Sequence, residues 1–207
     1  MPTIRTLVIA THNRKKAGEM RTILSRRFPS LELKTLADYE GAPEPEETGA
    51  DYAANAAIKS QSAAAFTGEW CVADDAGLEV DFLDGAPGVY SKRFGGEDLP
   101  FPKKIAKILG LLEGIPEDRR GARFRCFVAL TGPEGSAPTQ IFSGNCEGRI
   151  AVSPSGAGGF GYDPIFYLPE LDCTMADLTS DQKHRISHRG KVLAQLGDHL
   201  ESVHALE

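Results

Sequence analysis

Residues 72–96 read VADDAGLEVDFLDGAPGVYSKRFGG. An apolar run, Trp70, Cys71, Val72 and Ala73, leads into two adjacent carboxylates, Asp74 and Asp75. A cationic, glycine-rich segment with Lys92 and Arg93 follows. The apolar β-formers predict strands over Trp70–Asp74 and Leu78–Asp81, with the acid pair at a strand end. Two like charges side by side need a counter-ion, so such a pair suits a hard divalent cation or a held water. Taken alone, a solvated Asp-Asp turn is the simpler account, and only the rest of the chain displaces it.

Upstream, Ile4–Ala10 is an apolar, β-branched run that predicts a buried strand, and Thr11–Asn13 is a polar turn. Arg14–Phe28 predicts a helix with Ala17, Met20, Leu24 and Phe28 on one face. Leu31–Leu36 predicts a second strand, Gly41–Glu47 a proline-rich acidic loop, and the Ala-rich Asp51–Phe66 a helix carrying Lys59. Downstream, Pro102–Leu112 predicts a helix, and Phe124–Thr131, Thr139–Cys146 and Gly148–Val152 predict strands. Thr179–Leu206 predicts a helix broken near His188–Gly190, with Ile186, Leu193, Leu196, Leu200 and Val203 as its core stripe. The middle strands follow one another without intervening helices, so an α/β protein with a mixed sheet is expected.

The 207 residues are 41% hydrophobic, enough for one domain with a sizeable core or one with a deep cleft between two lobes. A net charge of -6 argues against nonspecific binding to nucleic acid or anionic membranes. Four cysteines are scattered without a C-x-x-C, and Met1–Ala10 lacks the character of a signal peptide. Reduced thiols and a cytoplasmic location are therefore expected. No run reaches the roughly 18 apolar residues of a membrane helix.

Three further motifs carry chemistry. Thr11-His12-Asn13-Arg14-Lys15-Lys16 lies between a strand and a helix, where free N–H groups and the dipole favour phosphate. Lysines in the first turn oppose that dipole, which suggests an anionic ligand; an ordinary N-cap followed by surface lysines accounts for the segment about as well. Residues 156–161, GAGGFG, match G-x-G-x-x-G, but no helix opens on the glycines, so a dinucleotide fingerprint is rejected. Phe160 and Tyr162 could instead stack on a base while Asp163 reads its edge, against the plainer reading of a hydrophobic plug beside a tight turn. Lys183-His-Arg-Ile-Ser-His188-Arg189-Gly190 pairs His184 with His188 at helix spacing, but no third zinc ligand lies near. Lys183, His188 and Arg189 suit a base carbonyl or phosphates; a solvated helix end is the alternative.

Together these pieces resemble the inosine/xanthosine triphosphate pyrophosphatase family over nearly the whole chain. The resemblance rests on Thr11-x-Asn13-x-x-Lys16, Glu47-Thr-Gly49 with Asn55-Ala and Lys59, and Asp74-Asp75-x-Gly77-Leu78. Gly85-Ala-Pro-Gly88-Val-Tyr-Ser91, Gly158-Gly-Phe-Gly-Tyr-Asp-Pro-Ile-Phe166 and Ile186-Ser-His-Arg-Gly190 complete it. It implies a single domain over residues 1–207: an elongated mixed sheet flanked by helices, in two lobes with a central cleft, and usually a homodimer. It implies Mg²⁺-dependent cleavage of ITP, XTP and their deoxy forms between the α and β phosphates, giving the monophosphate and pyrophosphate. Asp75 then looks like general base and metal ligand, with Glu47 or its neighbour Glu46 as second ligand. The Thr11–Lys16 turn, including His12, Arg14 and Lys15, and Lys59 look like phosphate binders. Phe160, Gly161, Tyr162 and Asp163 look like the base platform, and Lys183, His188 and Arg189 like readers of the base. Beside Mg²⁺ an Asp is expected to keep a low pKa and to orient water more than deprotonate it.

Three positions depart from the family pattern. His12 stands where many relatives have Gly, Ala76 where some have a substrate-touching Ser, and Ala54 where many have Glu. A non-enzymatic nucleotide-binding regulator is disfavoured by the retention of Glu46, Glu47, Asp74 and Asp75 together. The missing strand–glycine–helix context disfavours an NAD-dependent oxidoreductase.

Overall fold

A computed structural model describes residues 3–136, 138–203 and 205–206, with residues 3, 203, 205 and 206 described by backbone alone. Two short strands open the chain, β1 (Thr3–Ile4) and β2 (Thr6–Ile9). Helix α1 (Arg14–Arg27) begins at Asn13, whose side chain accepts the Lys15 and Lys16 N–H groups, and it buries Ala17, Met20 and Leu24. After β3 (Glu32–Thr35) and a 3₁₀ turn, α2 (Tyr52–Thr67) starts on Asp51, which accepts the Ala54 N–H. It stops at Gly68, whose φ of 70° is the left-handed conformation of a helix C-cap.

Strand β4 (Trp70–Val80), helix α3 (Phe101–Leu111), and strands β5 (Gly121–Thr131) and β6 (Gln140–Ile150) follow. Short strands β7 (Phe166–Leu168) and β8 (Cys173–Thr174) precede α4 (Ser180–Ile186), α5 (His188–Val203) and β9 (Ala205–Leu206). The main sheet has seven strands in the order β3-β2-β4-β5-β6-β7-β8. β2 pairs in parallel with β3 and β4, whereas β7 pairs antiparallel with β6 and β8, so the sheet is mixed as expected. β1 and β9 form a separate parallel pair.

Two expected breaks are absent. The strands expected at Trp70–Asp74 and Leu78–Asp81 are one continuous β4, so the acid pair lies mid-strand and not at a strand end. Two adjacent carboxylates followed by Ala-Gly look like a turn, but cations from neighbouring helices neutralise them and the pairing runs on. The strands expected on either side of Glu147 are likewise one β6. Gly148 reads as a breaker, yet a Cβ there would lie 2.5 Å from the Tyr167 carbonyl oxygen, so its bareness is what lets β7 approach. The long C-terminal helix does break, at Ser187, which caps α4 before α5 starts. Of its expected stripe, Leu193, Leu196 and Leu200 are buried; the Val203 side chain lies outside the described residues.

The chain divides into two compact units, the first comprising residues 1–75, 126–144 and 189–207 and the second residues 76–125 and 145–188. Strands β4, β5 and β6 contribute residues to both. In the first unit Val8, Ala10, Leu36, Ala63, Ala64, Cys71 and Ala73 form one apolar cluster. In the second, Leu78, Ile108, Leu112, Phe124, Ile165 and Phe166 belong to another.

Candidate active site

Alternation along β4 sends Asp74 and Asp75 to opposite faces of the strand, and the two carboxylates have different partners. Asp74 is fully buried and accepts from Arg189 Nη2 at 2.7 Å and Nε at 3.1 Å, with Lys16 Nζ 3.3 Å from its other oxygen. Arg189 Nη1 in turn donates to Glu19 at 2.7 Å. Lys16, Glu19, Asp74 and Arg189 thus form a charge-balanced cluster, with Asp74 and Arg189 buried and Lys16 and Glu19 half-buried at its edge. Burial alone would raise the Asp74 carboxyl, but the charges of Lys16, Arg189 and Lys59 overcome it and hold it far below the usual carboxylate range.

Asp75 faces helix α2, which grips both of its oxygens. Lys59 Nζ lies 3.1 Å from Oδ1, and Asn55 Nδ2 makes a long 3.4 Å contact with Oδ2. The same Lys59 ammonium is 2.9 Å from Glu47 Oε1. The Asn55 side-chain oxygen accepts the Gly49 N–H at 2.8 Å, two residues beyond Glu47. A Cβ on Gly49 would fall 2.6 Å from that oxygen, so glycine is required where the acidic loop meets the helix. Burial pushes the Asp75 carboxyl above its ordinary value, more than Lys59 and Lys16 pull it down. The contrast with Asp74 follows from the partners: Asp75 shares Lys59 with Glu47, whereas Asp74 has both Lys16 and Arg189 against it. Lys59 loses by burial but gains more from Asp75, Asp74 and Glu47, so its ammonium is held charged.

Of the alternative acids, Glu47 is the one turned to Lys59, whereas Glu46 is exposed. In the Thr11–Lys16 turn, Arg14 and Lys15 are exposed, as in an ordinary N-cap, but Lys16 is turned inward onto Asp74. Thr11 Oγ1 accepts the Asn13 N–H at 3.2 Å, and Asn13 Oδ1 caps α1. His12 Nε2 lies 3.2 Å from the Pro43 carbonyl, so the side chain present in place of Gly meets the acidic loop. Ala76, the first residue of the second unit, offers a methyl and no hydrogen-bonding side chain.

In the second unit, the glycine loop is folded around Asp163. Gly159 has φ +67°, and a Cβ there would sit 2.1 Å from an Asp163 oxygen. That oxygen accepts the Phe160 N–H at 2.7 Å and the Lys183 ammonium at 2.7 Å. Lys183 Nζ also lies 4.6 Å from the centroid of the Phe160 ring. Phe160, Asp163 and Lys183 are therefore one constellation. Tyr162 is not part of an open platform: it is buried in the core, its hydroxyl donates to the Ser91 carbonyl at 2.9 Å, and Phe101 packs edge-on against it at 5.3 Å. His188 is buried with its ring stacked on Phe124 at 4.8 Å. Arg189, expected to donate to a base carbonyl or to phosphates, has its guanidinium on buried Asp74 and half-buried Glu19, since carboxylates offer a fixed cation more than any neutral acceptor would.

Among the described residues no group of three or more His, Cys, Asp or Glu side chains forms a metal cage. Glu47 and Asp75 nevertheless suit a hard cation, because their oxygens converge on one point, marked by the Lys59 ammonium. Mg²⁺ is commonly held by one or two carboxylates, water and substrate phosphates, and this donor set fits that pattern. Burial pushes the Cys126 thiol beside Asp74 up to about 12, so it supplies no thiolate nucleophile at neutral pH. Glu19 is absent from the sequence reading, and Asn55 enters it only as part of the family motif, with no role assigned. Their signals were positional: Glu19 is one helical turn after Lys16, and Asn55 one turn before Lys59.

The Ham1 family model matches residues 7–199. A protein of Geobacillus kaustophilus named dITP/XTP pyrophosphatase is 43% identical over 97% of this chain and 96% of its own length. One of the same name from Desulforamulus reducens is 48% identical over 90% and 91%. The solved structure of a HAM1 protein from Coxiella burnetii superposes with a TM-score of 0.86 at 38% identity, covering 97% of this chain and all of the other.

Proposed function

This chain belongs to the Ham1 family, and from that premise we propose that it is a nucleoside triphosphate pyrophosphatase for purine nucleotides outside the standard set. Its substrates are ITP, dITP, XTP and dXTP, and its products the monophosphate and pyrophosphate. The observation that carries the reading is the convergence of Glu47 and Asp75 on a single cationic position, with Lys16 one strand face away. Mg²⁺ is the proposed cofactor, held by Glu47 and Asp75. When bound, it supplies charge neutralisation on the phosphate oxygens.

The remaining work falls to the chain. Lys16, Lys59 and the N–H groups at the start of α1 take the triphosphate, with Thr11 and Asn13 shaping that turn. Asp75 accepts a hydrogen bond from the attacking water and orients it toward the phosphate. Asp74 fixes Lys16 and is itself fixed by Arg189. Phe160 stacks on the purine, and Lys183, steadied by Asp163, donates to a 6-carbonyl. The 6-amino group of adenine would set donor against donor there, a mismatch of about 1–3 kcal/mol. Gly161 and Tyr162 shape the loop, and His188 closes the start of α5 against Phe124.

A single domain, a homodimer and a cytoplasmic location complete the proposal; among the described residues no helix is long and apolar enough to cross a membrane. The test is kcat/KM with Mg²⁺ across ITP, dITP, XTP, GTP and ATP. A preference for the 6-oxo, non-standard purines is expected, and equal turnover of ATP would contradict it.

A further inference from the structure

Lys59 occupies the position on which the two proposed metal ligands converge. Its ammonium is 2.9 Å from Glu47 and 3.1 Å from Asp75, and its side chain is only 15% exposed. Asn55, one turn earlier on α2 and buried, holds the far oxygen of Asp75 with its amide nitrogen and the Gly49 N–H with its amide oxygen. One helix face therefore fixes both carboxylates and fills the space between them with a cation of its own.

We infer that α2 pre-builds the metal site: Asn55 is a positioning residue for Asp75 and the Glu47–Gly49 segment, and Lys59 is a place-holder that the divalent cation must displace. The inference rests on Glu47 and Asp75 being the metal ligands. The charge count favours exchange over co-occupancy. Glu47 and Asp75 carry two negative charges, which a divalent cation alone balances; cation and ammonium together at hydrogen-bond distance would repel each other strongly in so buried a place. A carboxylate pair left without either would be costly, so the lysine keeps the site assembled until the metal arrives. Once displaced, the ammonium is left for the anionic substrate, and metal loading is thereby coupled to phosphate binding.

The consequence has an unusual sign: removing this lysine should tighten metal binding. The experiment is direct Mn²⁺ binding to the full chain without nucleotide, read by electron paramagnetic resonance of the free ion. Lys59→Met is expected to bind Mn²⁺ about tenfold tighter than the parent, and Lys59→Gln to shift the same way. Asn55→Ala is expected to bind on the order of tenfold more weakly, the usual effect of losing a side chain that orients ligands. Glu47→Gln serves as the control and should weaken binding. If Glu47→Gln weakens binding while both lysine variants leave it unchanged or weaker, the exchange is overturned and the metal site stands. If Glu47→Gln leaves Mn²⁺ affinity intact, the ligand assignment fails and the inference falls with it. If Asn55→Ala binds like the parent, Asn55 does not position the ligands. Should Lys59→Met be too unstable to purify, Lys59→Gln followed by thermal melting decides: a larger rise in Tm with Mn²⁺ than the parent shows supports exchange, and an equal or smaller one overturns it.

Discussion

Arg189 is buried and makes three short bonds to two carboxylates, Asp74 and Glu19. Removing one partner of such a buried pair costs about 3–5 kcal/mol, because the remaining charge is left in a medium that solvates it poorly. Arg189→Ala is therefore expected to lower Tm and to depress kcat on every purine, leaving the ITP-to-ATP ratio of kcat/KM unchanged. A collapse of that ratio would return Arg189 to the base. Phe160→Ala should raise KM for all purines by the worth of one stacked base, about 1–3 kcal/mol. Asp75→Asn should keep the fold and lower kcat on the order of 10²–10³-fold, as expected when one group that organises transition-state charge is lost. Circular dichroism beside steady-state kinetics checks both halves of that statement. At this scale the sequence was informative about residue type and poor about partners. Asp75, Lys59 and Lys16 could be named from their motifs, and Phe160 and Lys183 from an aromatic and a cation in separate segments. That Asp163 would bridge Phe160 to Lys183, or that Tyr162 would be buried on Ser91, depends on contacts across 20 and 71 positions, which no local pattern encodes.

The elements themselves were read most faithfully where periodicity and caps agree. Asn13 and Asp51 set the starts of α1 and α2 within a residue or two of the expected boundaries. Two of the failures were strands taken as interrupted, and both have the same origin: a charged or glycine residue mid-strand marks a turn unless a distant partner has neutralised or exploited it. Gly148→Ala tests the second case. A methyl there must push into Tyr167 and Phe166, so Tm should fall while KM stays as in the parent. Small elements make a separate, pH-dependent contribution. In the turn at Met175–Asp177, the Asp177 carboxylate accepts the Thr174 N–H and hydroxyl, and those bonds, the backbone one first, lower its pKa. A carboxyl depressed in the folded state adds stability that is present above its unfolded pKa, near 3.9, and is lost as pH falls through the folded value. The Tm difference between the parent and Asp177→Asn should therefore be full at neutral pH and should shrink in strong acid. A difference independent of pH would mean the carboxylate charge is not what holds the turn.

For the molecule as a whole, the sheet is mixed and seven-stranded, the Ham1 match spans residues 7–199, and the function proposed above draws on two separately built groups of residues. One, in the first unit, carries carboxylates and lysines suited to a metal and a triphosphate. The other, in the second unit, carries a ring, a cation and the carboxylate that joins them. The α/β class was legible because strand and helix runs alternate early and strands cluster later; the short strands β7 and β8 were not, because each is only two or three residues long. The central claim is that water is delivered to the α–β linkage of the nucleotide. It is tested most directly by incubating the purified chain with Mg²⁺ and dITP and assaying pyrophosphate and orthophosphate separately before any auxiliary enzyme is added. Pyrophosphate in equal amount to deoxyinosine monophosphate is the predicted result, and orthophosphate appearing with deoxyinosine diphosphate would contradict it.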